Sequence, residues 1–153
     1  AEGFGACVHT MRYGLFEGNL TGSKGGQPVA PLMGNIKAYD GGAGDYQMGP
    51  LTFMLNYPDH CVLYRFLPKS LTETDVELVW FVRGDAVEGV DYQREDLIWL
   101  WDHTTKEDEY IILRNNAGVN SRFFEPGPYH PEFEATLQKF VGWYLHTLER
   151  VTG

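Results

Sequence analysis

Residues 51–84 read LTFMLNYPDHCVLYRFLPKSLTETDVELVWFVRG, and the punctuation of this stretch decides the fold class. Three runs rich in β-branched, aromatic and aliphatic residues, 51–57, 61–67 and 73–84, are separated by Pro58-Asp59 and Pro68-Lys69-Ser70, which supply turn chemistry. Turns this short predict antiparallel neighbours, hence a meander. In the third run Thr74, Val76, Leu78, Trp80 and Val82 fall on one face and Asp75, Glu77 and Arg83 on the other, so one face is wet and Glu73, Asp75 and Glu77 read as solvated.

Upstream, residues 6–16 predict one more strand. Residues 18–49 carry Gly25-Gly26 and Gly41-Gly42-Ala43-Gly44 and read as loop with at most short strands. Neither Gly-x-Gly-x-x-Gly nor a Gly-Lys-Ser/Thr ending is present, so these glycines do not form a phosphate cradle. The sequon Asn19-Leu20-Thr21 is discounted, because no secretion signal accompanies it.

Downstream the period becomes helical. Asp91 or Tyr92 opens a stretch through Leu97, Ile98, Leu100 and Trp101, Thr104-Thr105 predicts an interruption, and a second segment over 106–116 ends at Gly118. A last helix fits 131–150, where Phe133, Leu137, Phe140, Val141, Tyr144, Leu145 and Leu148 recur at helical spacing behind Pro131. Strands followed by helices predict an α+β domain, an antiparallel sheet covered by a long C-terminal helix.

A chain of 153 residues suits one domain. Twelve basic against twenty-one acidic residues give a formal charge of -9, which repels nucleic acid and anionic lipid. Cys7 and Cys61 are too few and too far apart for a disulfide framework, so two buried thiols in a reducing cytoplasm are expected. No apolar run approaches the ~20 residues of a membrane span. The start, Ala-Glu-Gly-Phe, suggests a cut point inside something longer.

The segment Asp96 to Ser121, DLIWLWDHTTKEDEYIILRNNAGVNS, resembles the α-subunit of Rieske-type non-haem iron oxygenases. That family has an acidic pair, an amide eight residues on and then Gly; here these are Asp108, Asn116 and Gly118. The likeness continues through Ser121, Glu125-Pro-Gly-Pro-Tyr129 and Phe140-Val-Gly-Trp-Tyr-Leu145, in the manner of members acting on glycine betaine and choline. Upstream it touches Asp59-His60, Tyr64-Arg65-Phe66, Trp80 and Glu88-Gly-Val-Asp-Tyr92. Two positions depart from the family: Asn116 stands where Gln is usual, and His130 where Ser is common.

The resemblance implies a helix-grip (START/Bet v 1-like) fold, incomplete at its N-terminus, with residues 1–153 as the C-terminal portion of the catalytic domain and the Rieske domain absent. It implies that Asp108 is the carboxylate of a 2-His-1-carboxylate Fe(II) site, a ligand set that leaves positions open for O2 beside the substrate. The two His ligands and the Rieske [2Fe-2S] motif are not found: His9, His60, His103, His130 and His146 form no His-x-x-x-x-His pair. Implied partners are a small-molecule substrate, O2, a reductase or ferredoxin donor, and further copies of the chain in a trimer. The implied reaction is O2-dependent hydroxylation or oxidative N-demethylation of a betaine-like quaternary ammonium. Two alternatives stand beside it: ring hydroxylation of an aromatic acid, and a metal-free helix-grip module that binds small ligands.

Plainer readings accompany each site residue. Thr105-Lys-Glu-Asp108 also reads as a capping box opening the second helix, which would occupy Asp108 without any metal. His103 reads as structural at a helix end. Trp80, Trp99, Trp101 and Tyr110, with Asn116, are candidates for the substrate pocket, where rings would cage a quaternary ammonium by cation–π attraction; core packing is the ordinary alternative. Trp99 and Trp101 lie two apart on a helix, so at most one of them faces a pocket.

Overall fold

The computed structural model describes residues 8–152. These fall into two compact units, one ending at Asp108 and the other beginning at Glu109. Ala1-Glu-Gly-Phe, the start of the first predicted strand and Cys7 lie outside the described residues.

The first unit is a five-stranded antiparallel meander, β1 (Val8–Gly14), β2 (Gly42–Met48), β3 (Thr52–Asn56), β4 (Cys61–Pro68) and β5 (Thr74–Phe81), in sequence order across the sheet. The three strands of the 51–84 stretch pair through Asn56↔Cys61 and Cys61↔Phe81, as the turn chemistry requires. On the wet face, Arg65 meets Glu77 at 2.6 Å across the β4–β5 ladder and Lys69 meets Asp75 at 2.9 Å, all four half-exposed.

β2 corrects the expectation of a loop-rich stretch with only short strands. Gly42, Ala43 and Gly44 lie in a seven-residue strand hydrogen-bonded to β1 on one side and β3 on the other. Glycine weakens a strand through entropy and missing side-chain contacts, and ladders on both edges compensate for this. Local composition could not reveal that second neighbour.

The long connection between β1 and β2 is pinned to the turn between β3 and β4. Asp59 accepts hydrogen bonds from the Thr21 hydroxyl (2.5 Å) and the Val29 amide (3.0 Å), and the Met33 amide donates to the Pro58 carbonyl (2.8 Å). Thr21 is buried, so the sequon threonine is part of the interior. Gly22 lies against the Tyr57 ring, whose carbons sit 2.3–2.7 Å from where a Cβ would be, so only glycine admits this approach.

The helical region also differs from expectation. A single helix, α1 (Arg94–Val119), replaces the two predicted segments and runs unbroken through Thr104-Thr105. Threonine costs a helix interior only a fraction of a kcal/mol relative to Ala. The Thr105 hydroxyl is 2.8 Å from that of Tyr64 on β4, so a tertiary hydrogen bond settles what propensity left marginal. The helix starts later than Asp91 because the Asp91 carboxylate turns back onto the Val87 amide (2.8 Å) and holds a turn there. The fold is α+β of the helix-grip class, and the helix that crosses the sheet within this unit is α1.

α1 enters the second unit at Glu109, and α2 (Ala135–Thr152) completes that unit. The predicted start at Pro131 survives as a capped turn. The His130 Nδ1 accepts from the amides of Glu132 (3.3 Å) and Phe133 (3.1 Å), and the Glu134 carboxylate accepts from the His130 amide. This is a reciprocal cap in which His130 does the work usual for Ser. No helix among the described residues is long and apolar enough to cross a membrane.

Candidate active site

Leu97, Trp101, Thr105 and Asp108 are spaced four, four and three residues apart and form one stripe of α1. Leu97 is buried, and the Trp101 ring lies 6.2 Å from Tyr57 and 6.1 Å from Tyr64, edge-on to the latter. Thr105 bonds Tyr64, so the stripe faces the sheet. Asp108 continues it at the exposed end. Burial raises the Tyr64 hydroxyl's pKa and the Asp108 charge adds to this, while the bond to Thr105 opposes both. The capping-box reading of Asp108 is overturned: no helix begins at Thr105, so no terminal amides wait there for a carboxylate.

The register identifies the sheet face that meets this stripe. Cross-strand partners in an antiparallel sheet share a face. Tyr64 pairs with Phe53, and Phe53 with Gln47, so Phe53, Gln47 and Asp45 lie on the α1 side with Val62, Tyr64, Phe66, Leu78 and Trp80. Phe66 meets Phe53 edge-on at 5.8 Å and stacks on Tyr64 at 6.2 Å. Asp45 is the single carboxylate of β2 and lies on this face. The Tyr13 hydroxyl donates to it (3.1 Å), and the Tyr57 hydroxyl lies within electrostatic reach of both.

The predicted pocket residues separate. Trp80 and Trp101 lie in the first unit on surfaces that face each other across the sheet–helix layer, and the indole nitrogen of each is buried without a hydrogen-bond partner. Trp99 turns elsewhere: His103 stacks on it at 4.3 Å and the Lys24 ammonium sits 5.0 Å over its ring. One of the two adjacent tryptophans therefore faces the sheet. His103, expected at a helix end, lies inside α1, with Nδ1 2.8 Å from the Trp99 carbonyl. Tyr110 and Asn116 are exposed in the second unit, with the Arg114 guanidinium 4.0 Å over the Tyr110 ring and the Asn116 carbonyl accepting from Asn120 at 2.8 Å.

Sequence reasoning missed Tyr13, Asp45 and Tyr57, because Tyr13 and Asp45 are ordinary in their strands, and Tyr57 just past the end of β3, until the register brings the first two together. It also gave no weight to the buried polar centre at Asp59-His60. Both side chains are fully buried, His60 Nδ1 is 2.8 Å from the Asp59 carboxylate, and the imidazole stacks on Tyr57 at 4.9 Å. Burial alone would raise the Asp59 pKa, but His60, Thr21 and the Val29 amide outweigh it and hold the carboxyl below its usual range. Tyr39, buried and beside the Asp59 charge, is pushed up to about 12. Cys61 is a free thiol raised by burial, donating to the Asn56 side chain at 3.0 Å.

A facial iron site needs three protein donors. Among the described residues no three His, Cys, Asp or Glu side chains converge as a metal site, so a facial set that included Asp108 would need its other donors from elsewhere.

Residues 11–150 match the family described as ring hydroxylating alpha subunit (catalytic domain). The chain is 34% identical over 146 residues to the glycine betaine monooxygenase oxygenase subunit of Chromohalobacter salexigens, covering 95% of this chain and 33% of that protein. It is likewise 34% identical over 142 residues to the subunit of the same name from Pseudomonas aeruginosa, covering 92% of this chain and 33% of the relative. The chain thus spans about a third of the length of these relatives. With a meander crossed by a helix that carries the acidic-pair motif, and a family match over nearly all of its length, this chain belongs to the ring-hydroxylating oxygenase α-subunits, within their catalytic domain.

Proposed function

We propose that this chain is the C-terminal portion of the catalytic domain of a cytoplasmic Rieske oxygenase that hydroxylates an N-methyl carbon of a betaine-like quaternary ammonium. Such a hydroxylation gives a carbinolamine that collapses to the demethylated amine and formaldehyde, so monooxygenation and demethylation are one reaction. Asp108 supplies the carboxylate ligand of Fe(II). Two imidazoles and a Rieske [2Fe-2S] centre come from sequence other than the residues here, and electrons come from a reductase or ferredoxin. A trimeric assembly belongs to the same reading.

The observation that carries this reading is the position of Asp108. It continues the sheet-facing stripe of α1, one turn beyond the Thr105–Tyr64 hydrogen bond, and has no helix end to cap. The face beneath that stripe is aromatic, as a site for a quaternary ammonium requires, because ring faces attract a cation that cannot donate hydrogen bonds. Two relatives are named for glycine betaine.

The test is made on the full-length protein. Asp108→Ala is expected to abolish both stoichiometric iron after anaerobic loading with Fe(II) and formaldehyde release from glycine betaine. Normal iron content and turnover in the variant would remove Asp108 from the site. Turnover of aromatic acids with no turnover of quaternary ammoniums would replace demethylation by ring hydroxylation.

A further inference from the structure

Asp45 is the unexplained charge of the sheet face that α1 crosses. Met11 and Leu55 flank it as cross-strand partners, and it is half-buried. The Tyr13 hydroxyl donates to its carboxylate at 3.1 Å, and Tyr57 lies just past the end of the neighbouring strand β3. Burial pushes the Asp45 carboxyl above its usual range, and the Tyr13 hydrogen bond only partly offsets this. Its charge reaches Tyr57, whose hydroxyl is raised first by its own burial and then by Tyr13, Asp45 and Tyr64. These groups therefore share one electrostatic neighbourhood, with the Trp101 ring about a ring's width from both Tyr57 and Tyr64.

A purely structural role does not account for the carboxylate. Asparagine has nearly the same shape, accepts the same bond from Tyr13 and carries no charge to desolvate. Keeping an anion here is costly unless something positive offsets it. Among the described residues its side-chain hydrogen-bond donor is a neutral hydroxyl, Tyr13, with His9 and Gln47 one cross-strand pair away on the same face, and the Tyr57 ring interacts with it electrostatically, a setting that a cation brought by a ligand would complete.

We propose that Asp45 is a specificity-determining residue: its carboxylate is the counter-charge for the cationic head of the substrate, and Tyr57, Tyr64 and Trp101 supply the ring surface beside it. The inference rests on the oxygenase reading above and extends it by naming the residue that distinguishes a charged nitrogen from carbon. The carboxylate of a betaine-like substrate points away from Asp45, since like charges repel. Tyr13 is a positioning residue that fixes the Asp45 rotamer.

The experiment compares glycine betaine with 3,3-dimethylbutanoate, in which carbon replaces the charged nitrogen at nearly constant shape. Affinity is measured by calorimetry on the full-length protein, and turnover by formaldehyde release. Asp45→Asn is expected to weaken glycine betaine by about tenfold or more, with the carbon analogue unchanged or improved. Asp45→Ser gives the same readout if the Asn variant does not accumulate as folded protein. Tyr13→Phe keeps the charge and is expected to preserve the preference for the cation within about threefold.

An unchanged preference in Asp45→Asn, with wild-type protein binding and demethylating glycine betaine, overturns the role of Asp45 and leaves the oxygenase reading intact. Loss of preference in Tyr13→Phe equal to that in Asp45→Asn assigns the effect to the Tyr13 hydroxyl and also overturns it. Wild-type protein that neither binds nor demethylates any quaternary ammonium overturns both readings together.

Discussion

Asp59 and Asp45, a buried and a part-buried carboxylate of the first unit, are treated in opposite ways. Asp59 sits in the turn between β3 and β4 and collects donors from Thr21, Val29 and His60, which together pull its pKa down despite burial. Asp45 sits on the sheet face that α1 crosses with a single tyrosine donor, and its pKa is raised. A carboxylate that is fully satisfied by its own chain stabilises architecture, whereas one left in deficit marks a place where a ligand completes the electrostatics.

The largest expected effect tests the satisfied end. Asp59→Ala strands three buried donors and is expected to destabilise the fold by roughly 3–5 kcal/mol in urea unfolding. A loss below about 1 kcal/mol would mean that the connection between β1 and β2 is held by other contacts, and the contrast with Asp45 would dissolve.

A second contrast lies along α1 itself. Leu97 is 5% exposed, while Ile112, four turns on in the second unit, is 62% exposed. Leu97→Ala is expected to cost about 2–4 kcal/mol, and Ile112→Ala less than about 0.5 kcal/mol. Equal costs in the full-length protein would mean that Ile112 is covered there, and the contrast along α1 would vanish.

The smallest effect is the pH dependence, and its sign separates the two carboxylates. Asp59 has a lowered folded pKa, so its contribution is present above the unfolded value of about 3.9 and is lost as pH falls through the folded value. Asp45 has a raised folded pKa, so its charge subtracts stability above that pKa and protonation in mild acid restores it. Acid titration of stability is therefore expected to flatten in Asp59→Asn and to steepen slightly in Asp45→Asn. The same change in both variants would show that neither carboxylate is special.

Much of the fold was legible locally. The prolines at 58 and 68 punctuate three strands, and the alternation of Val76, Leu78 and Trp80 with Asp75 and Glu77 assigns faces to β5. Pro131 and His130 mark the approach to α2, because proline fixes φ and a capping side chain accepts orphan amides at a helix start. What failed was marginal locally and settled at a distance. Thr104-Thr105 looked like a break until Tyr64 supplied a partner, and Gly42-Ala43-Gly44 looked like loop until β1 and β3 flanked it.

The candidate site divides in the same way. The sequence by itself determined the motif: Asp108, Asn116 and Gly118 at family spacing, and the order of strands before helices, because spacing and periodicity are properties of the chain. Only the tertiary structure decided that Asp108 caps nothing, that Trp101 and not Trp99 meets the sheet, and that Tyr13, Asp45 and Tyr57 form one centre. The physical reason is register: cross-strand pairing brings Tyr13 and Asp45, 32 residues apart in the chain, within a hydrogen bond of each other, and no local pattern records that pairing.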